Sequence, residues 1–197
     1  MTQNNLEIGG VYKTDFDSRP FRIIGLDDYE VFYDCLWSDN EWTFSGNFRR
    51  KTIFYRMSAT IFQSKSQLIE VNKLTNEELN YFRPDLPMRF GRIKDISWNN
   101  LDSVFFDYKD QITDFKIDTE KLVLVPQGKK GGYGKGVIIE QIGGLTGLEI
   151  ISRASKIQNS VYDCQSDGIG FYRLGFEKGL PRYSIGEYFD EAGIIKN

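Results

Sequence analysis

Lys129, Lys130 and Lys135 lie among glycines in the stretch 127–147, QGKKGGYGKGVIIEQIGGLTG, with Tyr133 between them. Glycine admits positive φ and lets another molecule approach the main chain closely. Lysines on such a turn make an anion-contacting tip, and no acid falls between Glu120 and Glu140 to cancel them. The known phosphate loops differ in detail. A P-loop needs Ser or Thr after its Gly-Lys, whereas Gly134-Lys135 is followed by Gly136. A dinucleotide-binding turn opens a helix, whereas Val137-Ile138-Ile139 reads as a strand. The spacing therefore predicts a basic hairpin tip whose lysines and bare amides could touch anions.

A second cluster is acidic. Asp27, Asp28, Glu30 and Asp34 supply the oxygen ligands a divalent cation prefers, but without EF-hand spacing. Asp27-Asp28 is ordinary turn chemistry. No metal and no cofactor is expected. Three other readings are open: a carboxylate-dependent hydrolase around Asp28, Glu30 and Asp34; a contact surface for a basic protein; or imitation of a phosphate backbone.

The third cluster is basic. Residues 42–69 contain no acid, while Arg49, Arg50, Lys51, Arg56 and Lys65 are interleaved with Trp42, Phe44, Phe48, Phe54, Tyr55 and Phe62. Charge that tracks a backbone, with rings that stack bases, is what single-stranded nucleic-acid grooves use. Rings on β runs are buried by default, however, and a net charge of −3 is not that of a dedicated nucleic-acid binder. Cross-strand pairing of the acidic block with the basic one would cancel the field altogether.

Histidine is absent, which removes Ser-His-Asp and Cys-His catalysis and imidazole-ligated zinc. Cys35 and Cys164 have no base or metal-ligand partner nearby in sequence and read as packed thiols. No apolar run is long enough to span a bilayer as a helix. The first residues, MTQNNLEIGG, lack a charged n-region and an apolar h-region, so a cytoplasmic protein is expected.

The elements that position these residues are mostly strands. Short β runs fall at 10–14, 21–24 and 29–37, where Tyr29, Val31, Tyr33, Cys35 and Trp37 alternate with Glu30 and Asp34 as a half-buried strand. Trp37 is expected to face Trp42 across a four-residue hairpin. Residues 52–62 read as one long strand. Thr75 and Glu78 form a capping box opening a helix that Pro84 ends, with Leu74 stapled onto Leu79. Strands are expected at 88–97, 103–108, 112–117, 122–125, 137–142, 148–152 and 168–176. Ser184 and Glu187 suggest a capped terminal helix reaching Gly193.

The pattern predicts a mainly β protein of one or two small antiparallel barrels, SH3-like or Tudor-like, with two short helices. The expected boundary separates residues 1–84 from 85–197. The functional expectation is a non-enzymatic accessory protein of the immunity, inhibitor or defence type that binds a protein partner. A nucleic-acid-binding module is the alternative. The residues expected to carry contact are Lys129, Lys130, Tyr133, Lys135, Arg49, Arg50, Lys51, Asp28, Glu30 and Asp34.

Overall fold

The computed structural model describes residues 6–36, 42–43, 51–71, 73–94, 98, 101, 115–130, 132–161 and 168–187. The chain is mainly β and forms two units. The first comprises Met1–Met88 with Gly175–Gly179, the second Arg89–Leu174 with Leu180–Asn197.

In the first unit β1 (Val11–Thr14), β2 (Phe21–Leu26), β3 (Glu30–Leu36), β4 (Trp42–Thr43), β6 (Tyr55–Ser58) and β7 (Ser66–Glu70) form an antiparallel sheet. Its order is β4-β3-β2-β1-β7, with β6 also on β3. The sequence between β4 and β6 contributes β5 (Lys51–Ile53), which pairs with Gly175–Glu177. Among the described residues the sheet path does not close into a barrel.

Two helices, α1 (Ala59–Lys65) and α2 (Asn76–Phe82), each bury one phenylalanine. Phe62 of α1 packs with Tyr12, Phe21, Ile23, Val31, Tyr33 and Cys35. Phe82 of α2 packs with Ile24, Phe32, Phe54, Met88 and Phe176. Side chains alternate across a strand, so consecutive residues of β2 and β3 enter different clusters and both faces are buried. This corrects the half-buried reading of β3: its interior, Val31 to Cys35, is buried throughout.

Asp34 is consequently not a surface carboxylate. It stands directly opposite Arg22 in the β2–β3 register, and both are buried. The Arg22 guanidinium donates from Nη2 to Asp34 Oδ2 at 2.6 Å and from Nε to Oδ1 at 3.2 Å. Its Nη1 donates to the Lys73 carbonyl at 3.0 Å and meets Glu78 Oε1 of α2 at 2.9 Å. The ring of Trp42 covers the guanidinium, with Cζ 4.5 Å from the ring centroid. Trp42 is opposite Leu36 rather than Trp37, which lies outside the described residues; five residues, not four, therefore separate the paired positions.

One further expectation about this unit is corrected. Residues 52–62 are not one strand: the chain leaves the sheet after Ser58, where the Ala59 N–H donates to the Tyr29 carbonyl, and becomes α1. A short β-branched, apolar run fits strand and helix alike, and burial of Phe62 decides it. The expected helix at Thr75 is present, with the Glu78 N–H donating to Thr75 Oγ1 and the Thr75 N–H to Glu78 Oε2.

In the second unit β10 (Lys121–Val125), β11 (Val137–Glu140), β13 (Gly168–Glu177, to Leu174 in this unit) and β14 (Leu180–Glu187) lie in the order β11-β10-β14-β13, with β8 (Arg89–Lys94) also on β13. The β10–β14 pair is parallel. A separate ladder joins β9 (Lys116–Ile117) to β12 (Leu145–Thr146). The expected strand at 103–108 lies outside the described residues.

Residues 148–152 are helical, as part of α3 (Gly147–Val161). Gly147, Ile150, Ile151, Ala154, Ser155 and Gln158 are its buried residues, a 3–4 spacing that marks a helix face. The Thr146 N–H donates to Glu149 Oε2, closing the start of the helix. The expected start of the terminal helix is corrected too, and residues 188–193 lie outside the described residues. Ser184 lies inside β14, because Tyr183 and Ile185 are buried and the strand lies beside β10; the Ser-x-x-Glu spacing is coincidental.

Burial is the main cause raising the Asp34 carboxyl to about 6, against the opposing pull of Arg22. The usual carboxyl value is about 4, so the folded chain takes up this proton first. The resulting stability is fully present below about 4 and lost as pH rises through about 6. Asp34→Asn removes the titration. The stability difference between native and variant chains therefore moves toward the native chain between about pH 7 and 5, as read by urea unfolding. Arg22→Met strands the carboxylate and costs about 3–5 kcal/mol at neutral pH; adding Asp34→Leu recovers most of it.

Candidate binding site on the glycine-lysine hairpin

Leu122, Leu124 and their neighbours in β10 are buried, and β11 returns antiparallel with Leu122 opposite Ile139 and Leu124 opposite Val137. The hairpin expected around the glycines is thus present. Its tip is folded back on itself. Gln127 and Tyr133 form an isolated bridge, the Gly128 N–H donates to the Gly132 carbonyl, and the Gly134 N–H donates to the Pro126 carbonyl at 2.7 Å. A Cβ on Gly134 would lie 3.0 Å from Pro126 Cγ and 3.1 Å from its oxygen, so a side chain there would press on Pro126. Gly132 has φ +73°, a left-handed conformation that glycine adopts freely.

The base of the tip is latched by a side chain that the sequence reading did not single out. Gln158 of α3 is fully buried. Its Oε1 accepts from the Gln127 N–H at 2.9 Å, and its Nε2 donates to the Gln127 carbonyl at 3.3 Å. The side-chain amide thereby replaces a strand partner. Its signal was a polar residue on the apolar spacing of α3, which also carries Ser155. A second such residue is Arg182 of β14, also buried, whose guanidinium carbon is 5.8 Å from the Tyr133 ring centroid.

The amides of Gln127, Gly128 and Gly134 are therefore spent within the fold. This corrects the expectation of bare amides as anion donors at those three positions, where close strand approach has paired them internally. The lysines are different. Lys129, Lys130 and Lys135 are exposed, and so are Tyr133 (51 %), Val137 (41 %), Ile138 (50 %) and Ile142 (88 %). One arm of the chain thus presents three ammonium groups and four large apolar side chains.

The other expected contact residues are not gathered with it. Arg49 and Arg50 lie outside the described residues, and Lys51 is in β5 opposite Glu177. Asp28 is exposed at the β2–β3 turn. Asp27 accepts the N–H groups of Tyr29 and Glu30 and so shapes that turn. Glu30 faces Arg56 at 3.7 Å. Asp34 is buried under Arg22.

The charge segregated along the sequence is thus paired across strands: Asp34 with Arg22, Glu30 with Arg56, and Glu140 with Lys121 at 3.0 Å. Among the described residues no group of carboxylates, cysteines or histidines is arranged to hold a metal ion. Cys35 is buried, and burial pushes its thiol up to about 12, out of nucleophilic range. Cys164 lies outside the described residues. Among those residues no helix is long and apolar enough to cross a membrane.

Comparison with protein families, with curated proteins and with solved structures gives no match to this chain.

Gln158→Leu leaves the Gln127 N–H and carbonyl without the side chain that pairs them, at a cost of about 1–3 kcal/mol. Hydrogen exchange at Gln127 accelerates relative to the amides of β10 if Gln158 is the latch; equal protection in both chains would assign the restraint elsewhere.

Proposed function

We propose that this is a non-enzymatic binding protein that engages another protein through the β10–β11 hairpin. The observation that carries the reading is the company the lysines keep. Exposed Tyr133, Val137, Ile138 and Ile142 flank or follow Lys129, Lys130 and Lys135 along one continuous arm. Protein contact surfaces combine large apolar or aromatic anchors with a charged surround. A contact arm of this kind suits an inhibitor- or immunity-type protein acting on one macromolecule.

A nucleic-acid interface would draw on the same lysines. It gains less support, because Val137, Ile138 and Ile142 offer no stacking ring and Tyr133 is the single aromatic residue between Gln127 and Ile142. A carboxylate-dependent hydrolase around Asp28, Glu30 and Asp34 gains less again, since Asp34 and Glu30 are each engaged by a different arginine.

The test is affinity capture from native lysate with tagged chain, half of the sample nuclease-treated, beside a Lys129/Lys130/Lys135→Glu variant. A stoichiometric protein that survives nuclease and is lost with the variant is the expected result. Recovery of nucleic acid, or a protein retained equally by the variant, would overturn the reading.

A further inference from the structure

Strand β11 ends its sheet: the order begins at β11, and among the described residues it pairs with β10 alone. An antiparallel ladder alternates residues that bond inward with residues whose N–H and C=O point away. The Gln141 N–H donates to the Glu120 carbonyl, which makes that pair inward-bonded. Counting back along the register, Ile139 and Val137 also bond inward, and Ile138 and Glu140 direct their main-chain groups outward. The structure agrees at Glu140, whose carbonyl accepts from Arg153 Nη1 of α3 at 2.7 Å. The outward N–H and C=O of Ile138 are left facing away from the sheet with no such cover among the described residues.

Edges of this kind are ordinarily blunted by proline, by inward-pointing charge or by a covering element. Here one end is covered by Arg153, while the middle carries Val137 and Ile138, both exposed and apolar. An exposed apolar edge with free main-chain groups is the receiving surface for strand addition. The charge around it is one-sided. Lys135 precedes the strand by two residues, and Lys129 and Lys130 occupy the same hairpin. The acid nearest in sequence, Glu140, is already paired with Lys121.

We infer that β11 receives an extended segment of the partner protein as an added strand, centred on Ile138, in which apolar residues alternate with Asp or Glu. Main-chain pairing supplies the geometry, Ile138 contacts the apolar positions on its own face, and the lysines select the acidic ones on the other. The inference rests on the hairpin being the protein-contact arm and names how that arm binds and what it binds.

The probe is a strand-length peptide of alternating Val and Glu with blocked ends, titrated against the full chain and followed by amide chemical shifts. Wild-type chain binds it, and shifts concentrate on 136–140. A Val-Lys peptide does not bind. The Glu peptide N-methylated at two consecutive central residues, one facing each edge, cannot complete a ladder on either edge and does not bind either.

Ile138→Pro removes only an outward N–H, so the chain keeps its thermal midpoint while affinity falls about tenfold or more, the equivalent of one or two lost hydrogen bonds. Lys129/Lys130/Lys135→Glu weakens binding comparably with the ladder intact. Absence of binding at about 1 mM peptide, indifference to N-methylation or to Ile138→Pro, or self-association of the wild-type chain through β11 in sedimentation would each overturn strand addition. Ile138→Pro also separates the two readings in lysate capture. A partner lost with the lysine variant but kept by Ile138→Pro leaves the hairpin as the contact arm and rejects the added strand.

Discussion

The Arg22–Asp34 pair sets the terms on which the first unit folds. Two ions taken out of water cost several kcal/mol each, and their attraction repays this only where the remaining donors and acceptors are satisfied. Arg22 meets that condition by reaching four places at once: the Asp34 carboxylate, the Glu78 carboxylate, the Lys73 carbonyl and the face of Trp42. These lie on β3, α2, the segment leading into α2, and β4. One side chain therefore fixes how the second helix meets the sheet. Glu78 is doubly committed, since it also closes the α2 capping box. Burial pushes its carboxyl upward, but the Thr75 N–H and Arg22 outweigh that and hold it below the usual range.

This network explains why Asp34 has no surface character. A run of nine acids against three bases before Trp42 looks like a field, but a field requires that the charges stay unpaired in space. Directly opposed and diagonal positions on neighbouring strands bring side chains within reach of each other. Arg22 and Asp34 are directly opposed, and Glu30 and Arg56 are diagonal. At these positions antiparallel pairing neutralises charge that the sequence keeps apart. The lysines of the β10–β11 hairpin escape this because a turn has no neighbouring strand to supply acids.

The parts of this arrangement legible in the sequence are those specified by local chemistry. The Thr75–Glu78 box, the β10–β11 hairpin and the first three strands depend on residues close together in the chain. The parts not legible depend on what covers them. Period-two alternation in β3 says that two faces differ, but not that α2 lies over the polar one, and so Asp34 was expected at the surface. Residues 148–152 carry β-branched and apolar side chains, yet Thr146 with Glu149 and the spacing from Ile150 to Gln158 supply a helix signal that outweighs them. The Ser184–Glu187 spacing shows the reverse: a valid capping signature loses to burial of Tyr183 and Ile185. At the candidate site the lysines were legible by type. Gln158 was not, because a glutamine on a helix declares its partner only once the helix is placed.

The first unit includes Gly175–Gly179 as well as Met1–Met88, and Phe176 belongs to the same buried cluster as Ile24, Phe32, Phe54, Phe82 and Met88. During synthesis the N-terminal residues of this cluster leave the ribosome long before Phe176 is made. At about 5–20 residues per second that interval is several seconds, far longer than helix or hairpin formation. A nascent first unit thus waits with one wall of its core open, and the apolar rings around Phe54 and Phe82 stay uncovered on that side until Phe176 has been made.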